Sequence, residues 1–261
     1  MIIGDFGLLA STGLLVGAIV GLTGVGGGSI MTPLLITVFG VPAPVAVGTD
    51  LACAAVTKTA GTLAHRAARN IAAPIVKLLA LGSVPAAIAT LALVAAAHLD
   101  AHQFNRLVRQ SVGIALLASI VMLLGRDTLR RWGSRSPAVA AVRRYRSAAT
   151  VAVGALIGIA VALTSLGAGA IGAAALATLY PELEPVEIAG SDIAHAVPLT
   201  AVAAAGHAWL GTIDGGLLLA LLAGGIPGIV VGSLLSRRVP MRALRLLLVT
   251  TLALAGFKLL G

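Results

Sequence analysis

Two glycine-rich segments and four ionisable side chains are the parts of this sequence that could do chemistry. The first segment reads Thr23-Gly24-Val25-Gly26-Gly27-Gly28-Ser29 and the second Thr164-Ser165-Leu166-Gly167-Ala168-Gly169. Glycine lets a chain leave helical geometry and brings bare backbone amides close to a ligand. Where such a break opens a helix, unpaired N–H groups and the positive end of the helix dipole together make an anion site. Thr23, Ser29, Thr164 and Ser165 flank the two breaks and add hydroxyl donors. The ionisable set is Asp50, Lys58, Asp192 and His195, all within apolar stretches. Charges so placed are costly unless paired or hydrated, which makes them functional candidates. The four could form a proton-titrating or ion-paired network. Alternatively, the two aspartates cap helix or half-helix N-termini through local N–H bonds and Lys58 is either an anion ligand or a partner of Asp50. His65 and His207 are expected at helix ends, as interfacial residues.

The elements that must position these groups follow from composition. Of 261 residues, 59% are hydrophobic and 10% charged, against ~25% charged in ordinary soluble chains. A membrane helix takes ~20 apolar residues, so the apolar content is enough for about seven or eight spans. An all-α, polytopic membrane protein is predicted. Ten apolar blocks cover residues 7–23, 29–40, 43–64, 73–97, 104–124, 148–165, 169–180, 186–209, 215–236 and 242–260. A 12-residue helix covers only ~18 Å of a ~30 Å hydrocarbon core. Blocks 29–40 and 169–180 are therefore predicted to be half-helices, each opening at a glycine-rich break. A dinucleotide-binding loop at Gly24 to Ser29, with Asp50 downstream, is excluded. No strand precedes it, and a βαβ unit cannot lie in hydrocarbon with unpaired edges.

Charge and the rarer residues narrow the function classes. The 18 Lys and Arg outnumber the 9 Asp and Glu, but the excess lies between apolar blocks and reads as membrane topology, with no nucleic-acid partner. Two Trp, two Tyr and four Phe leave no stacking platform for sugars or nucleobases. The single Cys53 excludes a disulfide framework and a cysteine metal cage. No cofactor or metal is expected. Met1 to Asp5 has no basic n-region, so a cleaved signal peptide is not expected.

The chain also repeats itself. Leu22 to Gly28 falls on Leu163 to Gly169 at an offset of 141. Beyond a one-residue insertion the offset is 142, where Gly48-Thr49-Asp50 meets Gly190-Ser191-Asp192, His65 meets His207, and Gly82-Ser83-Val84-Pro85 meets Gly224-Gly225-Ile226-Pro227. Gly13, Gly17 and Gly21 correspond to Gly154, Gly158 and Ala162, a small-residue spacing that lets membrane helices pack closely. Arg66, Arg69 and Lys77 place one connection inside by the positive-inside rule, while the matching Gly211–Gly215 connection carries Asp214 and no Lys or Arg. The copies therefore point opposite ways. The expected division is a first five-helix repeat over 1–124, an Arg-rich cytoplasmic linker over 125–147 touching lipid headgroups, and an inverted five-helix repeat over 148–261. Arg237, Arg238, Arg242 and Arg245 put the 236–242 loop inside as well, and both termini outside.

The pattern Gly-x-Gly-Gly-Gly, a short helix containing Pro33, and Val47-Gly48-Thr49 opening the next span resembles the TauE/SafE family of bacterial membrane permeases. The likeness extends to the weaker glycine motif at 167–169, the Gly190-Ser191 counterpart and the Gly-x-x-Pro elements at 82–85 and 224–227. It implies transport of sulfite or organosulfonates, with export expected, across the bacterial inner membrane. It also implies binding segments at Gly26, Gly27, Gly28 and Ser29 with Thr49, and at Gly167 to Gly169 with Ser191. Family members commonly read Gly-Thr-Ser where this chain has Asp50 and Asp192, and Lys58 is not a usual residue.

The function expected is secondary transport of a small inorganic or organic sulfur anion, by alternating access around a midplane site, with Asp50 and Asp192 as candidates for proton coupling. Two rivals stay open. A cation or metal-ion transporter would use Asp50 and Asp192 as ligands. An intramembrane enzyme would use Ser191 as nucleophile with His195 or His207 as base. The oligomeric state is open too, a homo-oligomer included.

Overall fold

The computed structural model of the chain describes residues 6–23, 28–67, 69–135, 142–167, 169–235 and 241–260. Ten helices dominate the described residues, none of which lies in a strand. They are α1 (Phe6–Thr23), α2 (Gly28–Thr37), α3 (Ala43–Ala67), α4 (Ala73–Ala96), α5 (Ala101–Arg135), α6 (Arg146–Thr164), α7 (Ala170–Leu179), α8 (Pro185–Trp209), α9 (Gly215–Leu235) and α10 (Met241–Leu260).

Local chemistry explains where several of them start and stop. Pro185 opens α8, preceded by Glu184, whose side chain pairs with the Glu187 backbone while Glu187 returns the contact to the Glu184 N–H at 2.9 Å. This reciprocal arrangement satisfies two amides that the helix leaves orphaned. Pro74 likewise lies in the first turn of α4, where its missing N–H costs nothing. α6 ends at Ser165, in left-handed conformation with φ 60°. The short helices α2 and α7 have 10 residues each, or ~15 Å of rise.

One boundary differs from expectation. The fifth block was expected to stop at residue 124, yet α5 runs on to Arg135, through half of the Arg-rich stretch. Arg and Leu are good helix formers, and no proline occurs there before Pro137.

Four helices among the described residues are both long and apolar enough to cross a membrane: α4, α6, α8 and α9 over Gly215–Gly232. α3 is as long as α8, at 25 residues, but Asp50, Lys58, His65 and Arg66 lower its apolar character. Large apolar side chains such as Leu15, Leu93, Leu156, Trp209 and Leu254 face outward, as lipid-facing residues would.

The helices pack closely because glycines let backbones touch. α1 lies on α9, where a methyl group on Gly13 would meet the Leu221 carbonyl oxygen and one on Gly17 would overlap that of Gly225. α6 lies on α4 in the same way: methyls on Gly154 and Gly158 would overlap the carbonyl oxygens of Leu79 and Ser83. From the other side, Gly224 meets Ala10 and Gly82 meets Val151. These contacts form reciprocal pairs at the offsets of the sequence repeat, since 13 + 141 = 154 and 79 + 142 = 221. The largest apolar cluster is centred between α3, α4, α5, α6 and α8, with Leu51, Leu116, Ile157 and Leu199 fully buried.

Candidate functional site

The start of α2 meets the turn that ends α6. α2 begins at Gly28, packed so tightly on Ser165 that a methyl group there would overlap the Ser165 carbonyl oxygen and come within 2.9 Å of its Oγ. Ser165 turns out of α6, its N–H bonded to Val161 O at 2.9 Å. The left-handed turn projects the hydroxyl onto α3, where Ser165 Oγ donates to Asp50 Oδ2 at 2.6 Å. The same oxygen accepts from Thr32 Oγ1 of α2 at 2.8 Å. Asp50 thus ties the end of α6 and the first turns of α2 to the body of α3. It does not cap its own helix, which started seven residues earlier at Ala43.

Asp192, the counterpart of Asp50, is held differently. It is 6% exposed and its Oδ1 has no hydrogen-bond partner. The oxygen lies against Gly172 of α7, where any side chain would displace it. One turn further along α8, His195 is fully buried; its Nε2 pairs with Ser83 Oγ of α4 at 2.8 Å and its Nδ1 has no partner. Lys58 lies close enough to interact electrostatically with Asp50, Asp192 and His195 alike. Among the described residues it makes no ion pair within 4.0 Å with either aspartate.

Other candidate residues occupy distinct places. Thr49 Oγ1 accepts the N–H of Asp214 at 3.1 Å, just before α9, and Ser191 Oγ accepts that of Ala72 at 2.9 Å, just before α4. Each hydroxyl therefore anchors the start of a helix from the other half, and neither bonds to Asp50 or Asp192. The adjacent glycines repeat the exchange: Gly48 lies against Thr212 and His207, Gly190 against Asn70 and His65. Thr164 serves its own chain, donating to Ala160 O at 2.6 Å and accepting from Leu166 N at 3.0 Å. Gly167 has φ +114°, a conformation that only glycine adopts without strain. Gly169 precedes α7, whose first turn carries no side-chain cap. Ser29 is half-buried in the first turn of α2. Gly26, Gly27 and the side chain of Thr23 lie outside the described residues.

His207 lies in the last turn of α8, at a helix end as expected, but is buried within the protein. It is 1% exposed, with Nδ1 paired to Thr212 Oγ1 at 2.7 Å and Nε2 to Ala162 O at 2.9 Å. The reason lies in α6: Ala162 is within its last turn, where carbonyls lack intrahelical donors. His207 supplies one. His65, the counterpart, is half-buried with Nδ1 unpartnered.

Sequence reasoning missed Thr32, Ser83 and Gly172. Thr32 lies four residues past Gly28, the spacing that puts two residues on one helical face, and Ser83 lies inside a repeated motif. Gly172 had no signal, because its role is to leave room for a side chain from another helix.

Polar groups buried where the start of α2 meets the end of α6, inside an apolar bundle, suit a membrane carrier. The family model for the sulfite exporter TauE/SafE matches residues 9–259. The chain belongs to the TauE/SafE sulfite exporter family. It is also 37% identical over 251 residues, 95% of this chain and 97% of the other, to the "Probable membrane transporter protein YjnA" of Bacillus subtilis (strain 168). No solved structure matches. This TauE/SafE protein is a multi-pass membrane transporter of the bacterial plasma membrane. Family and relative both point away from an enzyme, including the Ser191 and histidine chemistry that the sequence left open.

Proposed function

We propose that this TauE/SafE transporter exports a small sulfur-containing anion such as sulfite or an organosulfonate. Two inverted five-helix halves, 1–124 and 148–261, joined by the Arg-rich linker, alternate access to a site where their breaks meet. The observation that carries the reading is the contact of Gly28 with Ser165, clamped by Asp50. It brings the N-terminal end of half-helix α2 against the break that leads into α7, so that amides and hydroxyls from both halves can replace an anion's hydration. Reciprocal contacts between the halves support a two-fold relation. Asp50 and Asp192 are the groups available to couple the anion to protons.

One observation favours a cation instead. The carboxylate of Asp50 and the hydroxyls of Thr32 and Ser165 bring together oxygens of the kind a hard cation takes. Purified protein in liposomes decides between them. The expected result is uptake of radiolabelled sulfite that unlabelled sulfite and organosulfonates inhibit and that divalent or alkali cations do not. Inhibition by a cation with no sulfite uptake would reverse the assignment.

The inverted arrangement predicts a labelling pattern. In a Cys53→Ser background, a cysteine at Arg144, exposed before α6, should resist an impermeant thiol reagent in intact cells. One at Gly215, exposed with open space around its Cβ position, should react. Equal labelling of both from outside would end the inverted model.

A further inference from the structure

The two aspartates occupy equivalent places in the repeat, yet their surroundings are unequal. Asp50 Oδ2 accepts two hydroxyls, one from α2 and one from the end of α6. Asp192 Oδ1 accepts none and is covered by the backbone at Gly172. The residues that could have supplied a hydroxyl to Asp192, at the positions matching Thr32, are the alanines Ala173 and Ala174 (32 + 141 and 32 + 142). The asymmetry is therefore written into the chain.

We propose that Asp50 is a fixed strut holding the two breaks together, whereas Asp192, assisted by His195, is the group that takes up and releases the transported proton. The proposal rests on the reading of this site as an anion carrier. A buried carboxylate oxygen without a donor has no protein group to lose when a proton arrives, and gains an O–H that can itself donate. Asp50, by contrast, could change its bonding only by giving up contacts that span three helices.

The surroundings of Asp192 contain few other titratable groups. From α3 come Asp50, Cys53 and Lys58 within the span, with His65 near Gly190. α4 contributes Lys77 alone, and it is exposed; it also presents the Ser83 hydroxyl that orients His195. α7 has no titratable residue and α6 has Arg146 alone, at its exposed start. On α8 itself, Glu187 and His207 lie towards the two ends. His195 is thus the only titratable neighbour one turn away on the same helix, and its Nδ1 is also unpartnered.

Charge counting gives the consequence. With both aspartates ionised and Lys58 charged, the three residues sum to one negative charge, and an arriving monoanion meets a net negative site. One proton moved from water onto Asp192 Oδ1 brings the three residues to neutrality. It leaves again to water when the site opens on the other side. Anion and proton then travel together, in the direction set by their summed gradients. Ser83 is a positioning residue, acting through the His195 ring.

The test compares Asp192→Asn with Asp50→Asn in the full-length protein, both nearly isosteric. In liposomes with the membrane voltage clamped, an inward proton gradient should stimulate sulfite uptake by the wild type. In Asp192→Asn the stimulated and unstimulated rates should become equal, whereas Asp50→Asn should retain the ratio of stimulated to unstimulated uptake. Ser83→Ala should shift the pH profile of uptake, and a role in packing alone would leave that profile in place. Independently of any anion, infrared difference spectra on a pH change should contain a protonated-carboxyl band that Asp192→Asn removes and Asp50→Asn does not. Undiminished stimulation in Asp192→Asn, a band lost only in Asp50→Asn, or no titrating carboxyl band in the wild type would each overturn the proposal. A band assigned to Asp192 in a protein that moves no sulfite would uphold the proton site and sink the anion reading.

Discussion

Gly28→Leu is expected to weaken sulfite binding by at least ten- to a hundredfold. A methyl group at Gly28 would already overlap the Ser165 carbonyl oxygen, and leucine must push α2 away from the end of α6. The separation breaks the Ser165–Asp50 contact at 2.6 Å or the Thr32–Asp50 contact at 2.8 Å, and moves the α2 amides off the point where the two halves meet. Losing one hydrogen bond to a charged group costs ~1.5–3 kcal/mol, which is the stated loss of affinity. Gly28→Ala should have a smaller effect in the same direction. Ser165→Ala, which removes one hydroxyl without the steric clash, should separate the hydrogen bond from the overlap. Gly169→Leu tests the second break, and Gly215→Ala, where a Cβ meets nothing within 4 Å, is the control. The measurement is equilibrium binding of labelled sulfite to detergent-purified protein that elutes as a single species. Wild-type affinity in a well-folded Gly28→Leu protein would move the site away from the breaks.

The second large effect is on stability. Gly82→Leu and Gly224→Leu should each strongly reduce the yield of folded protein and lower its melting temperature. At both positions a Cβ would overlap a carbonyl oxygen of the facing helix, that of Val151 for Gly82 and that of Ala10 for Gly224. Neither obstacle is a flexible side chain that could swing away. Overpacking of a close-packed interior costs about 1–3 kcal/mol or more, and here whole helices must separate, α4 from α6 and α9 from α1. Because the residues correspond at the repeat offset (82 + 142 = 224), the two penalties should be similar. Thermal unfolding followed by fluorescence-detected size exclusion reads the effect. A Gly82→Leu protein as stable as the wild type would show that α4 and α6 do not meet there.

Against these expectations, the residues divide by what kind of information placed them. The ten apolar blocks became ten helices because hydrophobic runs bounded by glycine, proline and charge act locally: each run must bury its backbone polar groups in a helix wherever the apolar medium excludes water. That α2 and α7 are short was legible from block length alone. So were the small-residue contacts of Gly13, Gly17, Gly154 and Gly158, since a fourfold spacing of small residues fits only a close helix pair.

Partners from distant segments were not legible in this way. Asp50 was recognisable as a costly buried charge, but that Thr32 and Ser165 satisfy it depends on which faces of α2 and α6 turn towards α3. Thr49 and Ser191 were expected in the binding segments from the resemblance alone, and that their hydroxyls anchor Asp214 and Ala72 only the packed structure shows. His207 was legible as a helix-end residue, whereas its bond to the Ala162 carbonyl was not.

The sequence by itself determined the membrane class, the helix set and the identity of the polar groups, because composition and periodicity need only neighbours along the chain. The tertiary structure alone decided which of those polar groups share a site and which of two equivalent aspartates is left without a donor. Hydrogen bonds are short and directional, so a partner's identity depends on the rotation and depth of helices that meet only after the chain has packed.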